Sequence, residues 1–89
     1  MSFKLRDYWI ADHPKNGWEW VLYVDATKVV HREDAAIIWS PDRDGPFSLA
    51  IWSWVDEEYT DIEGIPTLKD AKAMGKLLAS IEAAKATNF

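Results

Sequence analysis

Residues 35–55, Ala35-Ala36-Ile37-Ile38-Trp39-Ser40-Pro41-Asp42-Arg43-Asp44-Gly45-Pro46-Phe47-Ser48-Leu49-Ala50-Ile51-Trp52-Ser53-Trp54-Val55, decide the fold. Ala35 to Ser40 is β-branched, aromatic and apolar on both faces. The run Pro41 to Pro46 is a reversal built from proline, aspartate and glycine, and Phe47 to Val55 returns along it. A hairpin that is apolar on both sides belongs near the middle of a sheet. Within the returning strand, Phe47, Leu49, Ile51 and Val55 share one parity and Trp52 and Trp54 the other.

Upstream, Phe3 to Ile10 alternates at the period of a strand, with Phe3, Leu5, Asp7 and Trp9 opposed to Lys4, Arg6, Tyr8 and Ile10. Ala11 to Gly17 is dense in turn formers. Trp18 to Val24 then gives a second strand, with Trp18, Trp20, Leu22 and Val24 opposite Glu19, Val21 and Tyr23. Lys28 to Arg32 reads either as a short strand after a turn at Asp25-Ala26-Thr27 or as loop.

Downstream, Asp56, Glu57, Glu58, Asp61 and Glu63 put five acids into eight residues. We read residues 56–66 as an acidic connection closed by Gly64-Ile65-Pro66. A helix is expected over residues 67–86, with Thr67 as N-cap, Asp70 three residues on, and Pro66 blocking an earlier start. Leu68, Ala71, Met74, Gly75, Leu78, Ile81 and Glu82 fall on one helical stripe. The expected architecture is α+β, a single domain over residues 1–89: an antiparallel sheet of four to five strands (about 3–55) with one C-terminal helix packed on one face.

The chain has 89 residues, ten Lys and Arg against fifteen Asp and Glu, a net charge of −5 and 48% apolar residues, enough for one folded core. It has no cysteine, which excludes disulfides, thiolate-held metal centres and cysteine nucleophiles. Apolar runs such as Ala35 to Trp39 are five residues long, against the roughly 20 a membrane helix needs. The opening Met-Ser-Phe-Lys-Leu-Arg does not read as a secretory signal, so a cytoplasmic protein is expected.

No catalytic constellation emerges. His13 and His31 stand outside any metal-ligand spacing, no serine occupies a nucleophile elbow, and the four glycines are scattered. We therefore expect a non-enzymatic protein with no cofactor and no metal. The acids of residues 56–63 read either as a solvated connection or as a partner-facing patch.

Geometry points to a binding surface. A sheet of four seven-residue strands measures about 19 Å by 23 Å, whereas a helix of about 20 residues shields a strip about 30 Å by 10 Å on one side. The opposite face stays open. If Trp18 and Trp20 join Trp52 and Trp54 across the sheet, four indoles form an apolar patch there; the competing reading makes them filling for a thin core, since the register between strands is not legible. The candidate partner-binding residues are Trp18, Trp20, Trp52, Trp54, Asp56, Glu57, Glu58, Tyr59, Asp61 and Glu63. A protein partner with a basic surface is expected. A homodimer through the open face is a further possibility. A single-stranded nucleic-acid binder using the same aromatics is the alternative, disfavoured by the acidic balance and scattered cations.

Ile65-Pro66-Thr67-Leu68-Lys69-Asp70-Ala71-Lys72 resembles the sheet-to-helix junction of small phage and prophage accessory proteins, in which a Trp/Tyr-rich antiparallel sheet precedes a helix opening Thr-Leu-x-x-Ala-Lys. The resemblance spans about 25 residues of the chain. It implies a phage-encoded binding protein in the host cytoplasm, of the kind that includes inhibitors of host defence such as anti-CRISPR and anti-restriction proteins. It transfers no functional residue.

Overall fold

The computed structural model describes residues 3–13, 15–26 and 33–87, so the alternatives for Lys28 to Arg32 fall outside the described residues. Five strands, β1 (Phe3–Ala11), β2 (Trp18–Ala26), β3 (Asp34–Ser40), β4 (Phe47–Ser53) and β5 (Glu58–Ile65), form one antiparallel sheet in the order of the sequence. The helix α1 (Leu68–Thr87) follows and packs across one face, mainly against β4 and also against β1 and β3. The β3–β4 hairpin sits where its two-sided apolar pattern placed it. At its turn the Ser40 hydroxyl accepts from the Asp42 amide (3.1 Å), and the Asp42 carboxylate accepts from the Asp44 amide (3.2 Å).

The segment expected to be an acidic connection, residues 56–66, is mostly the fifth strand. The sheet reverses immediately after Ser53, whose carbonyl accepts from the Glu57 amide (2.8 Å) and whose hydroxyl accepts from the Asp56 amide (3.1 Å). β4 therefore stops at Ser53. Val55, expected to share the inner parity of β4, is instead exposed in the turn, and Trp54 turns back against the core. The charge density of residues 58–63 does not prevent pairing, because β5 is an edge strand: it bonds on one side only, and carboxylates on an edge discourage a further strand from adding.

Register fixes which side chains meet the helix. Leu22, Ala36, Ile51 and Thr60 form one cross-strand row, and Trp20, Ile38, Leu49 and Ile62 the next. Three irregularities adjust the sides. Between Leu5 and Trp9, β1 carries two residues more than β2, and that even number keeps Leu5 and Trp9 on the helix side. β3 carries one extra residue opposite Leu22/Tyr23. β5 carries one extra opposite Phe47/Leu49, where Gly64 adopts φ 73°. This last bulge shifts the alternation by one residue, which brings both Ile62 and Ile65 to the helix side.

The core lies between this face and α1. Leu22, Ile38 and Leu49 are fully buried, each contributing about 1.5–3 kcal/mol relative to exposure. The helix meets them with small residues: Ala71, Gly75, Ala79, Ala83 and Ala86 are its buried positions. Met74 and Ile81, expected on the buried stripe, are exposed; Leu68, Leu78 and Glu82 are half-buried. The reason is volume. Trp9, Trp20 and Trp54 project from the sheet into this layer, so the fully buried helix positions are glycine and alanine, while Leu68 and Leu78 pack against its margin. Thr67 is the N-cap: its hydroxyl accepts from the Asp70 amide at 3.1 Å.

Two stability outcomes follow from this packing. A Cβ at Gly75 would lie 2.7 Å from Cη2 of Trp9 and 3.0 Å from Cδ1 of Leu49. Gly75→Ala should therefore lower stability by about 1 kcal/mol, overpacking outweighing the gain in helix propensity, with partial recovery when Trp9→Phe is added. Thermal denaturation of both variants checks this, and a raised melting temperature for Gly75→Ala alone would contradict it. At the β4–β5 turn Glu57 holds φ 55°, a conformation that favours glycine. Glu57→Gly should raise stability by about 0.5 kcal/mol in the same measurement.

Candidate functional site

The face turned away from α1 is built by the residues that alternate with the core. One row crosses all five strands as Ile10, Val21, Ile37, Ala50 and Asp61. Beside it runs Glu19, Trp39 and Ser48, and towards the other end Trp52 lies opposite Tyr59. The Trp52 and Tyr59 rings meet edge to face at 4.9 Å, and the Tyr59 hydroxyl donates to the Asp34 carboxylate at 2.8 Å. Tyr59 is thereby held upright on an edge strand, tied to β3 across the intervening β4.

The exposed aromatic of this face is Trp39, at 40%, with Tyr8 at 56% and Ile10 at 37% towards β1. Val21, in the middle of the sheet between Ile10 and Ile37, is only 5% exposed. The apolar row thus runs from β1 to β4, exposed at Ile10, half-buried at Ile37 and Ala50 and buried at Val21. At the β1–β2 end, Arg6 pairs with Asp25 at 3.0 Å and lies 5.6 Å from the centre of the Tyr23 ring. Asp25 raises the Arg6 pKa, through its hydrogen bond first and its charge second, so this cation is held in place by its own chain.

Around Trp39 and Tyr59 the surface is acidic. Glu19 is the Cα partner of Trp39, Asp34 holds Tyr59, and Asp61 ends the long row. The Glu19 pKa is raised above its ordinary value, by burial first and then by the negative charges of Asp12 and Asp34. That shift records first the partial burial of Glu19 and only second its two acidic neighbours.

The structure divides the tryptophans expected to form one patch. Trp52 is on the open face, but Trp18 and Trp20 are on the helix side, in register with Ser40 and Ile38. There they build a corner. The His13 ring meets Trp18 edge to face at 4.5 Å and Trp20 at 5.1 Å, the His13 Nδ1 accepts from the Glu19 amide at 3.3 Å, and Trp20 meets Phe47 at 6.0 Å. Arg43 lies 5.9 Å from the centre of the Trp18 ring. These two indoles fasten the β1–β2 and β3–β4 turns to the sheet, and Trp54 packs against the core from the β4–β5 turn.

The acids divide as well. Asp61 shares the open face with Ala50, and Tyr59 with Trp52; Glu58 pairs with Ser53 on the helix-side parity. Asp56 and Glu57 occupy the turn, and Glu63 adjoins the Gly64 bulge. Trp39 and Glu19 are the additions that sequence reading passed over. Their signal was present in the parities, because Trp39 alternates with the core residue Ile38, and Glu19 with Trp18 and Trp20.

Among the described residues no group of three or more His, Asp or Glu is placed to hold a metal ion, and no helix is long and apolar enough to cross a membrane. Comparison with protein-family models, with curated proteins and with solved structures finds no match to this chain.

The raised Glu19 pKa has a signed consequence for stability. The folded protein binds this proton more tightly than the unfolded chain, so stability falls as pH rises from the unfolded value near 4.5 through the raised folded one. Glu19→Gln should therefore melt at a higher temperature than wild type at pH 7, and the difference should vanish below pH 4.5, where the glutamic acid is protonated in both states. Melting curves across that interval check the sign.

Proposed function

We propose that this chain is a non-catalytic protein-binding module that engages a partner with a basic surface through the open face of its sheet. The observation that carries this reading is the exposed Trp39 on the sheet face turned away from α1, with Trp52 and Tyr59 half-buried towards its other end and Glu19, Asp34 and Asp61 among them. Aromatic side chains dominate interface hot spots, and carboxylates at their margin steer a cationic partner and reject an anionic one. A five-stranded sheet face of this strand length covers about 24 Å by 24 Å in projection, short of the roughly 800 Å² per partner of an interface of ordinary size, so the partner also reaches the strand edges and turns around it. Of the residues singled out from sequence, Trp52, Tyr59 and Asp61 belong to this surface.

The class of partner follows from the charge. Nucleic acid would meet Glu19, Asp34 and Asp61 as like charges, with Arg6 already engaged by Asp25. A second copy docked on the same face would bring the same carboxylates together. A protein that itself binds nucleic acid offers the required cationic surface. Together with the resemblance to phage accessory proteins, this supports an acidic inhibitor that occupies such a surface in a host defence protein.

Capture from a bacterial lysate on the immobilised chain tests the proposal. Basic proteins should be retained, released by raised salt, and lost with Trp39→Ala, which should cost about 2 kcal/mol of binding, measured below the melting temperature of the variant so that lost retention reports the surface and not unfolding. Retention of the same proteins by Trp39→Ala would overturn it. Quenching of tryptophan fluorescence by single-stranded oligonucleotides at low salt would favour the nucleic-acid alternative.

A further inference from the structure

The helix has a second apolar stripe that the fold leaves largely exposed. Met74, Leu77 and Ile81 are 37%, 63% and 45% exposed, and Leu78 is half-buried at the border with the core. At 100° per residue, Asp70, Met74, Leu77, Leu78, Ile81 and Lys85 fall within about 100° of one another, turned away from the alanine and glycine stripe that meets the sheet. Asp70 and Lys85 are both exposed, and among the described residues the Lys85 ammonium makes a long 3.4 Å approach to Glu82 one turn away.

The spacing along this stripe, 4-3-1-3-4, reads the same in both directions. An antiparallel copy of α1, related by a two-fold axis between Leu77 and Leu78, therefore sets Leu77 against the partner's Leu78 and Met74 against the partner's Ile81. The same operation sets Asp70 against the partner's Lys85 at both ends. Apolar groups meet in the centre and opposite charges meet at each end, as a self-complementary contact requires. A parallel arrangement would instead place like charges together.

We infer that the outer stripe of α1 is a homodimer surface, on which two copies of this chain pair as antiparallel helices about Leu77 and Leu78. This surface is distinct from the open sheet face and does not depend on what binds there. A helix of this length shields about 300 Å² in projection, below the roughly 800 Å² per partner of a stable complex. The pair is therefore weak and concentration-dependent, with dissociation on the order of 100 µM.

Sedimentation equilibrium of the purified chain from about 10 µM to about 1 mM tests this, bracketing the expected dissociation constant. The weight-average mass should rise from monomer towards dimer. Leu77→Asp should remain monomeric throughout. Asp70→Lys and Lys85→Asp should each weaken association several-fold, and the double exchange should restore it towards wild type. All three positions are exposed, and circular dichroism shows whether each variant retains its helix. A wild-type chain that stays monomeric across the range overturns the inference, as does association untouched by Leu77→Asp. Failure of the double exchange to recover what the single exchanges lose overturns the antiparallel register.

Discussion

The close approach of α1 to the sheet is the contact on which the rest of the structure depends. Gly75 lies beneath the Trp9 ring from one edge of the sheet and the Leu49 side chain from β4. Its neighbours along the same stripe, Ala71, Ala79 and Ala83, keep the helix low over its length. Large residues on the sheet and small ones on the helix make a thin, closely approached layer. Had both sides carried leucines, the helix would stand further off and Trp9 would lose its seat. Because the centre of that layer takes only small side chains from α1, the helix leaves Met74, Leu77 and Ile81 exposed, and no described helix packs on the other face of the sheet.

Much of this architecture was legible in the letters, and the exceptions have physical causes. The β3–β4 hairpin announced itself through two apolar runs around a Pro/Asp/Gly turn, and α1 through Thr67 and its N-terminal proline. β5 was hidden because its acids resemble a solvated connection, whereas an edge strand tolerates charge that a central one does not. The buried stripe of α1 was misjudged because alanine carries a weak apolar signal. Met74 and Ile81 carry a strong one, and their size is what excludes them from the contact.

The surface was harder to read than the fold. Alternation sorts residues within a strand, but Trp18 and Trp20 could be matched with Trp52 only through the register between strands. The parities favoured the answer that the structure gives: Trp18 and Trp20 keep company with Leu22 and Val24, whereas Glu19 and Tyr23 mark the wetter side of β2. Bulges add a second obstacle. The extra residue at Gly64 lets Ile62 and Ile65 face the same way across an odd separation, which no count of alternating positions recovers.

The placement of α1 also orders events during synthesis. The helix leaves the ribosome after every strand, yet it rests on β1 as well as on β3 and β4. Until it arrives, Leu22, Ile38 and Leu49 line a bare apolar wall, and the nascent chain is at its most vulnerable to sticking to its neighbours. Docking of α1 thus buries the apolar face that the strands by themselves leave bare.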